Sequence, residues 1–227
     1  VNRQLRRDDT VRIPYRDGEL DLKPSKILCL LQNYREHAAE MQSKAPEDPI
    51  FFLKPPSAMV FHGGKVVLPP WSKEVHHEVE LALIIGKRGK DIPQGEIFNY
   101  ILGYTIALDM TARDVQAEAK KNGRPWAIAK GFDTSLPLGP RVVPANELDP
   151  GNLKISLKVN GRIRQNSSTG MMVHPIDRII AFASSRMTLE PMDIILTGTP
   201  SGVGRVDPGD VLEAEIEGIG KLIMNVC

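Results

Sequence analysis

Only two cysteines occur in the 227 residues, Cys29 and Cys227. That is too few for a disulfide framework and fits a reducing compartment. Neither sign of charge dominates: the formal net charge is +1, which removes the electrostatic case for nucleic acid or an acidic lipid surface. No run of 18 apolar residues is present, so no helical membrane span is expected. Residues 1–22 are polar and charged and lack the apolar stretch of a secretory signal. The expected location is therefore the cytoplasm. There is no internal repeat and no low-complexity tract.

What remains is an ordinary globular composition. Hydrophobic residues make up 41%, and a chain of this length buries roughly 70% of its unfolded surface without staples. Cys29 lies in the apolar run 27–31 and reads as core, since a free cysteine packs as a small hydrophobe. The 19 glycines and 18 prolines are spread along the chain, which indicates many short elements joined by turns.

Residues 1–24 read as a short leader and 25–227 as the catalytic domain. Residues 26–32 and 50–53 are apolar strands, and 33–42 reads as a helix with Asn33 as its N-cap. Residues 93–99 form a short helix opened by Pro93, 112–122 a helix stopped by Gly123, and 176–187 an amphipathic helix. Asn160-Gly161 between strands 154–159 and 162–165 is a strong hairpin signal, and 211–217 with 221–226 closes the chain as another hairpin. The fold class is α+β, built on a curved mixed sheet with a few flanking helices.

Residues 78–85 carry more information. Val79, Leu81, Leu83 and Ile85 alternate with Glu78, Glu80, Ala82 and Ile84, so a strand here places both glutamates on one face. Residues 101–110 form a second, nearly all-apolar strand that reaches Asp109. Buried carboxylates resist ionisation unless a cation sits among them. Glu78, Glu80 and Asp109 are therefore candidate ligands for a hard divalent ion, Mg²⁺, Mn²⁺ or Ca²⁺. The alternative is an edge strand whose polar face meets water. His37 and Glu40, at i and i+3, fit a carboxylate-oriented general base or a solvated surface pair. Lys130, delivered by Trp126-Ala127-Ile128-Ala129, points into a pocket or out to solvent. His76 could support Glu78 from the same strand. Residues 197–204 are Gly-rich; they form an anion cradle or a tight turn, but match no P-loop.

Taken together, Asn33-Tyr34-x-x-His37-x-x-Glu40-Met41, Phe52-Leu53-Lys54-Pro55, His76-His77-Glu78-Val79-Glu80-Leu81, Asp109-Met110-Thr111-Ala112-Arg113-Asp114-Val115-Gln116, Trp126-x-x-x-Lys130 and Thr197-Gly198-Thr199-Pro200-x-Gly202-Val203-Gly204 resemble the fumarylacetoacetate hydrolase family. The likeness is to its short acylpyruvase and oxaloacetate-decarboxylase-like branch, and runs in order from about residue 26 to the end. It implies a mixed β-roll, a homodimer, and Mg²⁺ or Mn²⁺ on Glu78, Glu80 and Asp109. It also implies a His37–Glu40 dyad on a segment that orders as a lid, Lys130 beside the developing enolate, Arg113 and Gln116 along the site, and Thr199 contacting substrate through its backbone.

The implied reaction is hydrolysis of a carbon–carbon bond in acylpyruvates, with decarboxylation of oxaloacetate through the same pyruvate enolate. The alternatives are an isomerase or tautomerase of 2-hydroxyhepta-2,4-diene-1,7-dioate or oxaloacetate, and a non-catalytic module that binds metal and ligand. Two positions depart from the family pattern. Leu31-Gln32 stand where many relatives carry Gly and a polar residue, which bears on the lid hinge. Pro191-Met192-Asp193 replaces Pro-Gly-Asp, and since a type II turn favours Gly at its third position, a different turn is expected there.

Overall fold

The computed structural model describes residues 12–227. Residues 1–11, part of the expected leader, lie outside them. From Arg12 onward that segment is a hairpin, β1 (Arg12–Tyr15) and β2 (Gly18–Asp21), and β1 runs parallel to a later strand through Tyr15 opposite Val142. Its Ile13 and the following Leu22 are buried in the core, and β1 and β2 form one edge of the main sheet.

The other strands and helices are best placed by what they carry. β3 (Ile27–Leu30) is followed by the short α1 (Arg35–Glu40), and then by β4 (Phe51–Lys54), β5 (Met59–Phe61) and β6 (Lys65–Val66). β7 (Val75–His77) and β8 (Val79–Ile85) are separated only by Glu78. A 3₁₀ helix, Gln94–Tyr100, leads into β9 (Ile101–Leu108), β10 (Thr111–Ala112), α2 (Arg113–Lys121), α3 (Ala127–Lys130) and β11 (Leu136–Pro144). β12 (Lys154–Val159), β13 (Arg162–Ser168), α4 (Ile176–Arg186), β14 (Ile194–Leu196), β15 (Gly204–Val206), β16 (Val211–Ile216) and β17 (Gly220–Val226) complete the chain.

The large sheet runs β2-β1-β11-β9-β8-β14-β3-β4, with β5 also on β11. A small sheet, β10-β7-β15, and a five-stranded sheet, β13-β12-β16-β17-β6, stand beside it. Both faces of β8 are buried. Val79, Leu81, Leu83 and Ile85 join the larger cluster with residues of β12, β16, β17 and α4, while Ala82 and Ile84 join a second cluster on the opposite face. This is an α+β fold, a mixed β-roll with few helices. Asn160 and Gly161 both have positive φ, 51° and 75°, as a type I′ hairpin turn requires.

The turn at Pro191-Met192-Asp193 does not follow the expectation. Asp193 N–H donates to Glu190 O at 3.1 Å and Met192 takes φ 72°. The positive-φ turn is kept without glycine, because Asp193 on its far side is held by Ser25, Lys26 and Glu190.

Candidate metal centre and active site

The antiparallel pairing of β8 with β9 brings the acids together. Val79 lies opposite Leu108 and Glu80 opposite Ala107, and Asp109 N–H donates to Glu78 O at 2.8 Å. At this point both strands leave the large sheet: β7 and β10 pair with each other in the small one. Glu78 and Asp109 thus sit at a shared corner. One carboxylate oxygen from each of Glu78, Glu80 and Asp109 lies within 4.8 Å of the others, and all three residues are buried. The solvated-edge alternative is excluded by that burial.

The three carboxylates are not equally compensated. Lys130 Nζ donates to Glu78 Oε2 (2.9 Å), Asp109 Oδ2 (2.6 Å) and Thr111 Oγ1 (2.6 Å). It is delivered inward by α3 and is 3% exposed, which removes the surface alternative. Arg113, first residue of α2, pairs with Glu78 and donates to Gln116 Oε1 at 2.8 Å. Burial works against Glu78, but Lys130, Arg113 and His37 outweigh it and hold its carboxyl well below the usual range. Glu80 receives one backbone hydrogen bond, from Gly198 N–H at 2.6 Å. Burial, then Asp109 and Glu78, raise its pKa well above the usual carboxylate value.

These features suit a divalent cation. Asp109 Oδ1 is buried and accepts no hydrogen bond, although Lys54 Nζ lies 2.8 Å away as an ion pair. Among the described residues Glu80 has no counter-charge of its own. An all-carboxylate donor set matches a hard divalent ion of the Mg²⁺, Mn²⁺ or Ca²⁺ kind.

His37, Glu78, Glu80, Asp109, Arg113, Gln116, Lys130 and Thr199 all line one cavity. Glu40 joins them through His37, whose Nδ1 lies 3.1 Å from Glu40 Oε2. His37 is buried at 5% exposed while Glu40 reaches solvent, so the pair has one buried and one solvated member. The Gly-rich loop 197–204 holds α1 down. Gly202 N–H donates to Glu40 (3.1 Å to Oε1) and Ser201 Oγ to Glu36 (3.2 Å). Gly202 has φ 94°, and a Cβ there would lie 2.0 Å from Arg164 O. Gly198 has φ 90°, and its Cβ would meet Asn33 at 2.7 Å. Neither position accepts another residue unstrained.

Asn33 is not the helix cap. Tyr34 takes that place with no side-chain cap bond. The Asn33 amide instead donates to His174 O and Thr197 O and accepts from His174 N–H. Three buried backbone groups outcompete one helix end. Gln32, just before α1, has φ 51° and donates from Nε2 to Ser43 Oγ beyond the far end of that helix. His76 hydrogen-bonds Glu74 and faces Arg113.

Two residues escaped the sequence reading of the site. Lys54 is buried and donates to the carbonyls of Met110, Lys130 and Ser135, tying the three segments around Asp109. Gln165 is fully buried, and its amide is saturated. Oε1 lies 3.0 Å from His77 Nδ1 and accepts from Val79 N–H at 3.1 Å; Nε2 donates to Thr199 Oγ1 and Pro200 O, both at 2.8 Å. Burial lowers His77 to a pKa of about 4, so at neutral pH its Nδ1–H donates to Gln165. Lys54 stood in a recognised motif without a role; Gln165, in a polar hairpin arm, carried no signal at all.

The fumarylacetoacetate (FAA) hydrolase C-terminal family profile matches residues 26–227. The mitochondrial oxaloacetate tautomerase FAHD1 of Bos taurus is 47% identical over 193 residues, spanning 85% of this chain and 87% of its own. The crystal structure of fumarylpyruvate hydrolase from Pseudomonas aeruginosa, in complex with Mn²⁺ and pyruvate, superposes with a TM-score of 0.91 at 34% identity and covers 99% of both chains. That of 5-carboxymethyl-2-hydroxymuconate delta-isomerase from Mycobacterium smegmatis gives 0.82 at 44% identity, over 91% of this chain and 80% of that one. Such relatives are hydrolases, isomerases and tautomerases. The buried acid corner, the ordered motifs and these matches together make the chain a member of the fumarylacetoacetate hydrolase family.

Proposed function

We propose that this protein is a Mg²⁺- or Mn²⁺-dependent enzyme of small 2-oxo acids that interconverts the keto and enol forms of oxaloacetate. The observation that carries this reading is one cavity shared by a histidine with a carboxylate on its Nδ1, three buried carboxylates and an inward lysine. It is supported by the 47% identity to an oxaloacetate tautomerase. Glu78, Glu80 and Asp109 would hold the ion, which when bound supplies a Lewis acid for the 2-oxo group.

The chain's own residues do the rest. Glu40 accepts the Nδ1–H of His37 and so leaves Nε2 as the base. Nε2 takes a proton from C3, and the electron pair moves onto the 2-oxo oxygen. Lys130 donates to that oxygen as its charge grows. That oxygen then takes a proton from water and His37 Nε2 releases its own to solvent, which gives the enol; the same transfers in reverse restore the ketone. Only C–H and O–H bonds change. Arg113 and Gln116 wall the substrate from α2, and Thr199 meets it through its backbone.

Hydrolysis of acylpyruvates is the second reading. The same Nε2 can deprotonate a water that attacks the distal carbonyl, after which carbon–carbon cleavage gives a carboxylic acid and the pyruvate enolate. A relative crystallised with Mn²⁺ and pyruvate favours it. A non-catalytic module is disfavoured because no member of the residue set is missing. The homodimer implied by resemblance is read by sedimentation velocity.

The test follows ultraviolet absorbance of freshly dissolved enol-oxaloacetate with enzyme and Mg²⁺, against an EDTA control. Metal-dependent loss of the enol band without release of CO₂ is expected. His37→Asn should slow it by roughly 100-fold or more. Dominant conversion of acetylpyruvate to acetate and pyruvate would transfer the assignment to the hydrolase. Inertness toward both substrates, with Mn²⁺ bound, would sink both readings.

A further inference from the structure

Helix α2 places Arg113, Gln116 and Lys120 at i, i+3 and i+7, which is one helical face, and all three line the cavity. The first two are already engaged with each other and with Glu78. Lys120 is not. Among the described residues no carboxylate lies within 4.0 Å of its ammonium. The acids of its own helix are occupied: Asp114 accepts from Ser72 and Lys73, and Glu118 pairs with Arg124. Lys120 Nζ instead sits 5.0 Å over the ring of Trp126, a contact that fixes the head group without neutralising it.

That ring belongs to a row. Trp126 packs on Phe52 with centroids 6.1 Å apart, and Lys130 Nζ lies 4.8 Å over Phe52. Phe52 on the cavity wall and Trp126 packed against it thus carry one cation each. The inner one, Lys130, faces the acid cluster. The outer one, Lys120, has no anionic partner among the described residues. Burial, Arg113 and Lys130 lower its pKa, with Glu78 opposing, which is the setting an incoming anion would relieve.

We infer that Lys120 determines specificity for the far end of the substrate, pairing with the distal carboxylate of a 2-oxo dicarboxylate whose 2-oxo-acid end lies at Glu78, Glu80 and Asp109. This rests on the proposed binding of 2-oxo acids at that cluster. It assigns the site to dioates over acyl chains ending in a methyl group.

Isothermal titration calorimetry on the Mg²⁺-loaded protein tests it with two unreactive probes of equal length, 2-oxoglutarate and 2-oxopentanoate, which differ only in a terminal carboxylate or methyl. The parent protein should bind 2-oxoglutarate roughly two- to fivefold more tightly, the scale of one partly exposed charge pair. Lys120→Met should abolish that preference by weakening 2-oxoglutarate alone, and Lys120→Arg should retain part of it. Equal weakening of both probes, or an unchanged preference in Lys120→Met, would overturn the inference. If neither probe binds the parent protein, the 2-oxo-acid reading itself fails and the inference falls with it.

Discussion

Glu80 differs from its two companions in what neutralises it. Glu78 faces Lys130 and Arg113, and Asp109 faces Lys130 and Lys54, whereas Glu80 has a single backbone N–H. A divalent ion is the counter-charge it lacks. Glu80→Ala should therefore weaken Mn²⁺ binding by at least about 100-fold, since even the outer partners of metal ligands are worth roughly 10–100-fold. Electron paramagnetic resonance of free Mn²⁺ reads this directly, and parent-like affinity would remove the metal centre.

A second buried acid works in the opposite sense. Asp193, with no side-chain exposure, accepts hydrogen bonds from Ser25, Lys26 and Glu190. Burial raises its pKa, but these donors outweigh it and the net shift is downward. A depressed folded-state pKa means that the stabilisation is fully present above the unfolded value, near 3.9, and is lost as pH falls through the folded one. Asp193→Ala should cost roughly 3 kcal/mol at pH 7 and flatten the acid limb of a stability–pH profile measured by urea denaturation. A variant with the parent's acid limb would show that other carboxylates govern it.

Between elements, Gln165 is the joint. Its one amide ties the strand bearing the acids to the Gly-rich loop and to the β12–β13 hairpin. Gln165→Leu keeps the volume but strands buried polar groups, each worth about 1–3 kcal/mol, so a loss of at least ~2 kcal/mol is expected in chemical denaturation. The loop's own contribution is tested at Gly202. Gly202→Ala must move away from Arg164 O and take the Glu40 donor with it. Turnover should fall while Mn²⁺ affinity, which rests on Glu78, Glu80 and Asp109 and on the Gly198 N–H rather than on Gly202, holds; loss of both together would mean that the whole loop had collapsed.

Element identity was legible where local chemistry decides it. The alternation in residues 79–85, the Asn160-Gly161 turn and the amphipathic α4 were all read from the sequence. β11 was not, because Pro137, Pro140 and Pro144 argue against a strand. It forms nonetheless between β9 on one side and β1 and β5 on the other, with a register shift between Gly139 and Val143. The Met192 turn was misjudged for a related reason: five hydrogen bonds to Asp193 hold a backbone conformation that a side chain resists.

For the molecule as a whole, an ion bound only by the folded state stabilises by mass action. Mg²⁺ or Mn²⁺ at about 100 times its dissociation constant should add roughly 2.7 kcal/mol, seen as a rise in Tm that EDTA abolishes. A Tm indifferent to both would count against binding at the acid corner. Among the described residues no helix is long and apolar enough to cross a membrane, in line with the absence of a long apolar run.

The sequence by itself determined the residue types and their local order: two glutamates at period two, a histidine and glutamate one helical turn apart, and a lysine behind an apolar approach. These follow from spacing along the chain, which strand and helix geometry convert directly into shared faces. Only the tertiary structure decided that Asp109 meets Glu78 at the corner where β8 and β9 leave the large sheet, that Gln165 and Lys54 brace that corner, and that Lys120 lines the same cavity with no carboxylate beside it among the described residues. Contacts of that kind join residues dozens of positions apart. They depend on strand register and on the burial of groups whose own sequence neighbourhoods say nothing of their partners.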